Sequence, residues 1–492
     1  VEAIKNKNLI GLLPLENKYV RAPFYDDIFE TTAQFLNTNK IGAIYKYGVL
    51  APKAISQITK TILSPITHAR NLISAGAFAA ANGAIIPTGT DYTSLLPRSL
   101  GGDVFQAGRL IDPKTGQAAG LFETAKRITY GRIRGTMTRQ DRDLYERLLK
   151  VGLVKTNPIT GELDRLSQDF FRNAYVDPAQ TQTKAFRGFA NFAQKGKRIY
   201  SKVQDAYVAE DDFWKTITWG LERNRYEDIF RKQGITSTNF KKILEGTETG
   251  VSKELTDYVR EGVKRNFEPI SGTYVGNFDD FLDEFAANLS RNLVPNYAYI
   301  GRAGKALRLS PFGNFIAFPL EILRTGSNII EQGIKERATG IPELVSLGNK
   351  RLLSFGLTVG GIPKIAQESF KAMHDVDNEE MEALRRIVPE WSKNSTLLPM
   401  GRDKNGYLKY VDFSYSNAYD TLIRPFNTVF NAISDGKNDE TSLKQALGQG
   451  LQESAVELLK PFTEESIFTA ALVDSTIRRG IGRDGRRVWS EA

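Results

Sequence analysis

Adjacent carboxylates are the residues of this sequence whose type and spacing come closest to catalytic chemistry, because two acids can act as general acid and general base. Such pairs occur at Asp26/Asp27, Asp211/Asp212, Asp279/Asp280, Glu379/Glu380 and Glu464/Glu465. Neighbouring residues of a helix point to different sides, which favours solvated surface pairs. We therefore predict no catalytic residue and no enzymatic activity in this sequence.

The composition excludes several other kinds of active or metal site. The 492 residues contain no Cys and only 2 His, His68 and His374. Without thiols there is no disulfide, no cysteine nucleophile and no Cys-ligated zinc or iron–sulfur site. The sequence also lacks the glycine-rich phosphate loop, the zinc-protease motif and the nucleophile elbow. We predict neither a cofactor nor a bound metal.

Arginine-rich stretches indicate a different chemistry, contact with phosphate. The chain carries 66 Lys and Arg against 57 Asp and Glu, a net charge of +9. Guanidinium groups bind phosphate oxygens without reading base sequence. The predicted nucleic-acid-binding residues are Arg478, Arg479, Arg483, Arg486 and Arg487 near the end of the sequence, and Arg132 and Arg134 in an earlier basic stretch. The alternative is a solvated face, since Asp141, Asp143 and Glu146 offer acidic partners to the earlier stretch.

The spacing of apolar residues by three and four predicts that helices position these groups. From Tyr200 to Leu221 this spacing follows one stripe, interrupted at Glu210, where Asp211 and Asp212 indicate the start of a second helix. The other predicted helices are Asp26–Asn37, Pro52–Ala81, Arg139–Val151, Ser252–Phe267, Phe278–Leu293, Phe318–Arg337, Asn378–Ile387 and Leu443–Leu459.

Strand signals are few and centre on one turn. Thr396–Arg402 and Tyr407–Phe413 flank a stretch ending in Asn405-Gly406, and Asn-Gly supplies the positive φ angles of a tight hairpin. The predicted fold class is mainly α, a multi-segment helical assembly with one or a few small β-hairpins.

Turn-rich stretches divide the sequence into four predicted segments. These are an N-terminal helical segment (1–86), a central helical segment (87–268), a helical segment with a Pro/Phe-rich turn (269–388), and a β-hairpin followed by C-terminal helices and the Arg-rich end (389–492). The first residue is Val1, and the stretch from Gly480 reads as a turn opening into a further element. We expect the sequence to be a fragment of a longer polypeptide.

Two apolar stretches have alternative interpretations. Leu72 to Ile86 is rich in Ala and Gly but shorter than the roughly 20 residues that span a bilayer. It is either a tightly packed core helix or a helix that can move from the protein into a membrane. Between Pro311 and Pro319, the side chains of Phe312, Phe315 and Phe318 are spaced by three. They form either ordinary core or a short apolar plug that docks on the chain's own helices or on a neighbouring subunit.

Four blocks of this sequence resemble large internal virion proteins of tailed bacteriophages, particularly marine short-tailed ones. They are Ser64 to Ser74 with the alanine-rich run behind it, Glu210 to Lys215, Val294 to Arg324 with its Leu-Ser-Pro-Phe-Gly-Asn-Phe string, and Leu408 to Pro425. The blocks are scattered over most of the chain and carry no catalytic motif, so the resemblance assigns no catalytic residue.

The resemblance implies a structural protein that is packaged inside the capsid and ejected with the genome. Its implied partners are the portal, internal core subunits, packaged DNA bound without sequence specificity and, during ejection, the host membrane. It also implies that the protein is oligomeric in the particle. The protein would lie in the virion interior and assemble in the host cytoplasm. The absence of Cys suits assembly in a reducing compartment. The alternative is a segment that positions nucleic acid within a larger virion-packaged enzyme, such as an RNA polymerase.

Overall fold

The fold is mainly helical, as the sequence predicts. The structure is a computed structural model that describes residues 75–84, 119–154, 184–247, 250–271, 276–296, 317–388, 396–412 and 439–463, with short pieces at 2–3, 19–20 and 432–433 and single residues at 110, 116, 299, 422, 429 and 436. The predicted helices Asp26–Asn37 and Pro52–Ala81 fall outside these residues, apart from the last part of the second.

The described α-helices are, in chain order, α1 (Leu121–Arg134), α2 (Arg139–Lys150), α3 (Lys184–Lys232), α4 (Phe240–Glu245), α5 (Lys253–Ser271), α6 (Phe278–Leu293), α7 (Ala317–Ala338), α8 (Pro342–Gly356), α9 (Ile362–Met373), α10 (Asn378–Ile387) and α11 (Glu440–Thr463). Short π-helical turns lie at Ala80–Ala84 and Leu357–Gly361. The described strands are β1 (Glu2–Ala3), β2 (Tyr19–Val20), β3 (Leu397–Arg402) and β4 (Leu408–Asp412). Strands β1 and β2 pair with each other, as do β3 and β4.

The chain divides into two compact units. Unit 1 comprises residues 1–300 and 324–358, and unit 2 comprises residues 301–323 and 359–492. The four sequence-derived segments remain a prediction.

Helix α3 is the central element of unit 1, where it packs against α1 and α6. Its Trp219 is fully buried and joins a cluster with Ile128 of α1 and Leu148 of α2. A second group of core side chains is aromatic, with ring centroids 4.9 to 6.5 Å apart: Tyr226, Phe230, Phe240, Phe278, Phe281 and Phe285. Burial of these rings adds to the apolar stabilisation of the unit.

The prediction of a second helix starting near Glu210 is wrong, because α3 runs without interruption from Lys184 to Lys232. One of the acidic residues there is paired within the helix itself. Asp211 accepts a hydrogen bond from Lys215 Nζ one turn later at 2.6 Å. The local pair neutralises the carboxylate, so this acidic residue does not require a helix start.

A kinked segment, residues 75–84, packs against α8 in unit 1. Its helical path breaks at Asn82 and Gly83, and Gly83 adopts φ = 95°, a backbone conformation that favours glycine. The ring of Trp214 from α3 lies so close to Gly76 that an added Cβ would be 3.0 Å from it. The described part of Leu72–Ile86 is therefore packed among helices. No helix within the described ranges is both long and apolar enough to cross a membrane.

A four-residue turn joins α1 to α2. Gly135 ends α1 with φ = 68°, and the Thr136 N–H bonds back to the carbonyl of Gly131 at 2.9 Å. Thr138 begins α2 with a capping box, in which its hydroxyl accepts from the Asp141 N–H and the Asp141 carboxylate accepts from the Thr138 N–H. The backbone of the turn is thus fixed at both ends.

We expect Thr138→Ala to lower the free energy of unfolding by about 1 kcal/mol, because the first turn of α2 loses its cap. Thr138→Ser should retain most of the stability, since serine caps equally well. Chemical denaturation followed by circular dichroism measures both variants. A loss from Thr136→Ala as large as that from Thr138→Ala would contradict this explanation, since the exposed hydroxyl of Thr136 makes only a long contact, 3.5 Å, with the Gly131 carbonyl.

Unit 2 contains the predicted β-hairpin. Strands β3 and β4 are antiparallel, with Leu398 opposite Val411, and the Gly406 turn residue has φ = 83°. A small apolar cluster anchors the hairpin, in which Leu397 packs with Met381 and Leu384 of α10. The predicted position of the hairpin is confirmed.

Candidate functional site

The largest group of interacting polar side chains in the described part of the chain lies inside unit 1. We name it the Arg351 cluster, and its members are Asn82, Glu222, Arg225, Tyr226, Tyr258, Gln332, Glu336 and Arg351. They come from the kinked segment and from α3, α5, α7 and α8. The cluster therefore joins five elements of one unit.

Arg351 stands at the centre of this cluster and is fully buried. Its Nη2 donates to Glu222 Oε2 and to Glu336 Oε1, each at 2.8 Å. Its Nη1 donates to Glu222 Oε1 at 3.1 Å, and its Nε donates to Glu336 Oε2 at 3.2 Å. One planar guanidinium thus bonds both oxygens of two carboxylates, a geometry that lysine cannot reproduce.

A second arginine balances the charge of the cluster. Arg225 Nη1 donates to Glu222 Oε1 at 3.0 Å and to the carbonyl of Asn82 at 2.7 Å. Two guanidinium groups therefore face two carboxylates. Burial alone would lower the pKa of Arg351, but Glu222 and Glu336 outweigh burial and raise that pKa well above its ordinary value. Arg351 remains charged wherever the chain is folded.

Tyr226 completes the hydrogen bonding of Glu336, and Tyr258 lies behind it. Tyr226 donates to Glu336 Oε1 at 2.6 Å, and its hydroxyl lies 3.1 Å from that of Tyr258. Gln332 Nε2 donates to Tyr226 at 2.9 Å. Burial, with a smaller contribution from the Glu336 charge, raises the pKa of both tyrosine hydroxyls. Both hydroxyls therefore stay protonated, and that of Tyr226 donates to the carboxylate.

Asn82 ties the kinked segment into this cluster. Its Oδ1 accepts from Arg351 Nη1 at 2.9 Å, and its Nδ2 donates to the carbonyl of Leu293 at 3.0 Å. Leu293 is the last residue of α6, so this bond also satisfies a carbonyl at a helix end. A single buried amide thus fixes the position of the kink.

A second charge group, the Asp283 cluster, joins α2, α3 and α6 around a buried carboxylate. Asp283 accepts from Arg223 Nε at 2.6 Å and from Arg147 Nη1 at 2.7 Å. Its backbone carbonyl accepts from Trp219 Nε1 at 3.0 Å. The contacts come from α2 and α3 to a residue of α6, so Asp283 links the three helices.

These two clusters hold helices together. In the Arg351 cluster the carboxylates, guanidinium groups and hydroxyls bond one another inside the protein, and burying such groups is tolerated because they are paired. Both carboxylates of the Arg351 cluster are fully buried and bonded to other members of the cluster. This geometry suits the fixing of helix positions. Among the described residues, no group of three or more His, Asp or Glu is arranged to hold a metal ion.

Three of the five predicted acidic pairs lie within the described residues. Asp279 accepts from Arg223 at 3.2 Å, and Glu380 takes part in the capping box that starts α10. With Asp211 bonded to Lys215, these carboxylates serve helix contacts and helix ends. The pairs at 26–27 and 464–465 lie outside the described residues.

The predicted nucleic-acid-binding residues separate into three groups. Arg132 is only 20% exposed, and its guanidinium lies 3.9 Å from Asp205 and 5.9 Å from the ring centroid of Tyr145. Arg134 is exposed at the end of α1. Outside the described residues lie Arg478, Arg479, Arg483, Arg486 and Arg487. Arg132 is thus engaged within the protein, whereas Arg134 is open to solvent.

The predicted docking side chains are placed only in part. Phe318 belongs to the first turn of α7. Phe312 and Phe315 lie outside the described residues. The docking interpretation stays a prediction.

Comparisons with protein-family models, with curated proteins and with solved structures found no match to this chain.

Proposed function

We propose that this chain is a structural protein of a tailed-phage virion, packaged inside the capsid and ejected with the genome. The proposal starts from the resemblance of the four sequence blocks. The observation that carries it is the Arg351 cluster, in which charged side chains occupy a position where ordinary cores place apolar ones. These charges fix helix positions and perform no chemistry on a bound molecule.

A core joined by ion pairs suits a protein that must come apart during ejection. A buried ion pair contributes less net stability than apolar side chains of similar volume, because both charges lose their hydration. When the helices separate, Glu222, Glu336 and Arg351 regain water, so the unfolded segment exposes fewer apolar groups. Such a chain can unfold at moderate cost and remain soluble while it passes through a narrow channel.

The proposed partners follow from the same role. The chain contacts the portal and other internal core subunits, it is oligomeric in the particle, and it touches the host membrane transiently during ejection. Phe312, Phe315 and Phe318 are the proposed docking residues. The arginines from Arg478 to Arg487 contact packaged DNA without base specificity.

Mass spectrometry of purified particles tests this function. We expect the chain in DNA-filled particles at a constant ratio to the portal, and we expect it to be lost from particles emptied by triggered ejection. Absence from DNA-filled particles would contradict the virion assignment. Retention in emptied particles would contradict ejection.

The exposed Arg134 favours a second candidate function, in which the chain positions nucleic acid for a larger virion-packaged enzyme such as an RNA polymerase. RNA synthesis by extracts of disrupted particles discriminates the two functions. If antibody against this chain removes the polymerase activity, the second function is correct.

A further inference from the structure

Three arginines around the α1–α2 turn are exposed and make no ion pair with any residue that the structure describes: Arg134 at the end of α1, and Arg139 and Arg142 in the first turn and a half of α2. Some other exposed basic residues in unit 1 have acidic partners within the described part of the chain. Arg231 bonds Glu227 at 2.8 Å, and Lys232 bonds Asp228 at 2.7 Å. The turn therefore presents positive charge that the described part of the protein does not neutralise.

The acid closest to the turn is directed inward. Asp141 is buried, and its carboxylate pairs with Arg127 at 2.7 Å while it also caps α2. Arg127 and Asp141 thus neutralise each other beneath the surface. They leave the exposed arginines without a counter-charge from the turn.

Two further acids on α2 are exposed but do not bond these arginines. Asp143 follows Arg139 by four residues, and Glu146 follows Arg142 by four. In a helix, a cation that precedes an acid by four residues is in the less favourable of the two orders. This order weakens such a pair without forbidding it, since Lys241 and Glu245 pair at 3.8 Å in the same order.

The backbone that carries the three arginines is fixed. Gly135 and the Thr136–Gly131 hydrogen bond end α1, and the Thr138 cap starts α2. The capping box already satisfies the N–H groups of Thr138 and Asp141, so the guanidinium groups are the main donors that an anion would meet at this turn. Side chains that extend from a fixed backbone lose less entropy when a partner binds.

We propose that this surface, Arg134, Arg139 and Arg142, binds the phosphate backbone of duplex DNA without reading its sequence. Guanidinium groups fit phosphate oxygens bidentately, and a closely spaced row of phosphates gains from releasing its counterions. Arg132 does not take part, because it faces Asp205 and Tyr145. This inference rests on the proposed function only for the identification of packaged DNA as the partner.

The test compares two variants of the full chain that lose the same charge. The first is Arg134→Gln/Arg139→Gln/Arg142→Gln. The matched control is Arg231→Gln/Lys232→Gln/Lys241→Gln, whose exposed side chains all have ion-pair partners. Binding to a random-sequence DNA duplex is measured over a salt series, after thermal melts establish that both variants fold as the parent chain does.

Affinity decreases with salt, so the slope of log affinity against log salt is negative. We expect this slope to become shallower by about 2 to 3 for the turn variant, since each phosphate that the protein no longer neutralises reduces the steepness by about 0.9. The control should retain the parent slope. The proposal would be overturned if the turn variant kept the salt slope of the parent chain, or if the control lost as much of its steepness as the turn variant. A turn variant that loses binding only to phosphatidylserine vesicles would also overturn it, and would identify a membrane as the partner.

These outcomes are independent of the proposed function. Absence of the chain from phage particles would reject the virion role without changing the salt slope. An unchanged salt slope in the turn variant would reject DNA binding by this surface, and the chain could still be present in phage particles.

Discussion

We expect Arg351→Met to lower the free energy of unfolding by about 3–5 kcal/mol, because it leaves a buried carboxylate without its counter-charge. Glu222 keeps Arg225 as a partner, but Glu336 keeps only the neutral donors Tyr226 and Gln332 among the described residues. An uncompensated buried charge costs far more than the lost hydrogen bonds. Urea denaturation of the full chain, followed by tryptophan fluorescence, measures this loss.

Two further variants separate charge from packing. Arg351→Met combined with Glu336→Leu leaves the balanced Glu222–Arg225 pair, so most of the lost stability should return. Arg386→Met removes an ion pair whose arginine is 81% exposed, and this change should cost less than about 1 kcal/mol. A loss in Arg351→Met no greater than that in Arg386→Met would contradict the role assigned to the cluster.

Gly348→Ala should lower the free energy of unfolding by about 2–3 kcal/mol. This is the opposite of the usual result, since alanine in place of a helical glycine normally stabilises a helix. A Cβ at Gly348 would lie 2.5 Å from the carbonyl oxygen of Gly333 and 3.0 Å from the backbone N of Arg337. Both obstacles are backbone atoms of α7, so α8 must move away as a whole. Arg351 lies one turn further along α8, and the movement would also separate it from Glu336.

Gly131→Ala is the matched control for this clash. Gly131 lies in the last turn of α1, and the nearest atom to an added Cβ is the Thr136 hydroxyl at 3.5 Å, an ordinary contact. This variant should be neutral or more stable by up to about 1 kcal/mol. Differential scanning calorimetry gives both values. Equal melting temperatures for the two variants would show that α7 and α8 tolerate a wider separation.

Helices that local signals define could be predicted closely. Phe278–Leu293 and Asn378–Ile387 coincide with α6 and α10, each of which starts behind a side-chain cap, Asn277 or Asp377. The hairpin was predictable because Asn405-Gly406 determines its turn. In each case the information lies within a few residues of the element.

Helices whose sequence patterns depend on contacts with other elements were not predicted. Helix α8 contains Gly348, which lowers helix propensity but is required by the close approach of α7. Helix α1 contains Gly131 and lies in a basic stretch that we interpreted mainly by its charge. Packing against neighbours overrides local preference in both helices.

The Arg351 cluster could not be predicted from the sequence, because its members are distant along the chain. Glu222 and Arg225 are three residues apart, a spacing typical of a surface helix pair. In the folded protein Arg351 of α8 bonds Glu222, from which it is 129 residues away along the chain. Sequence spacing describes one face of a helix and carries no information on which other helix covers it.

The same separation determines when unit 1 can finish folding during synthesis. Asn82 and Arg351 are 269 residues apart. A ribosome that adds about 5–20 residues per second takes roughly 13 to 54 s to cover that distance. Until then, Asn82 Oδ1 and Glu222 Oε2 lack the Arg351 guanidinium that bonds them in the folded protein. Helix α8 is the last described element of unit 1 to leave the ribosome, and its arrival completes the core.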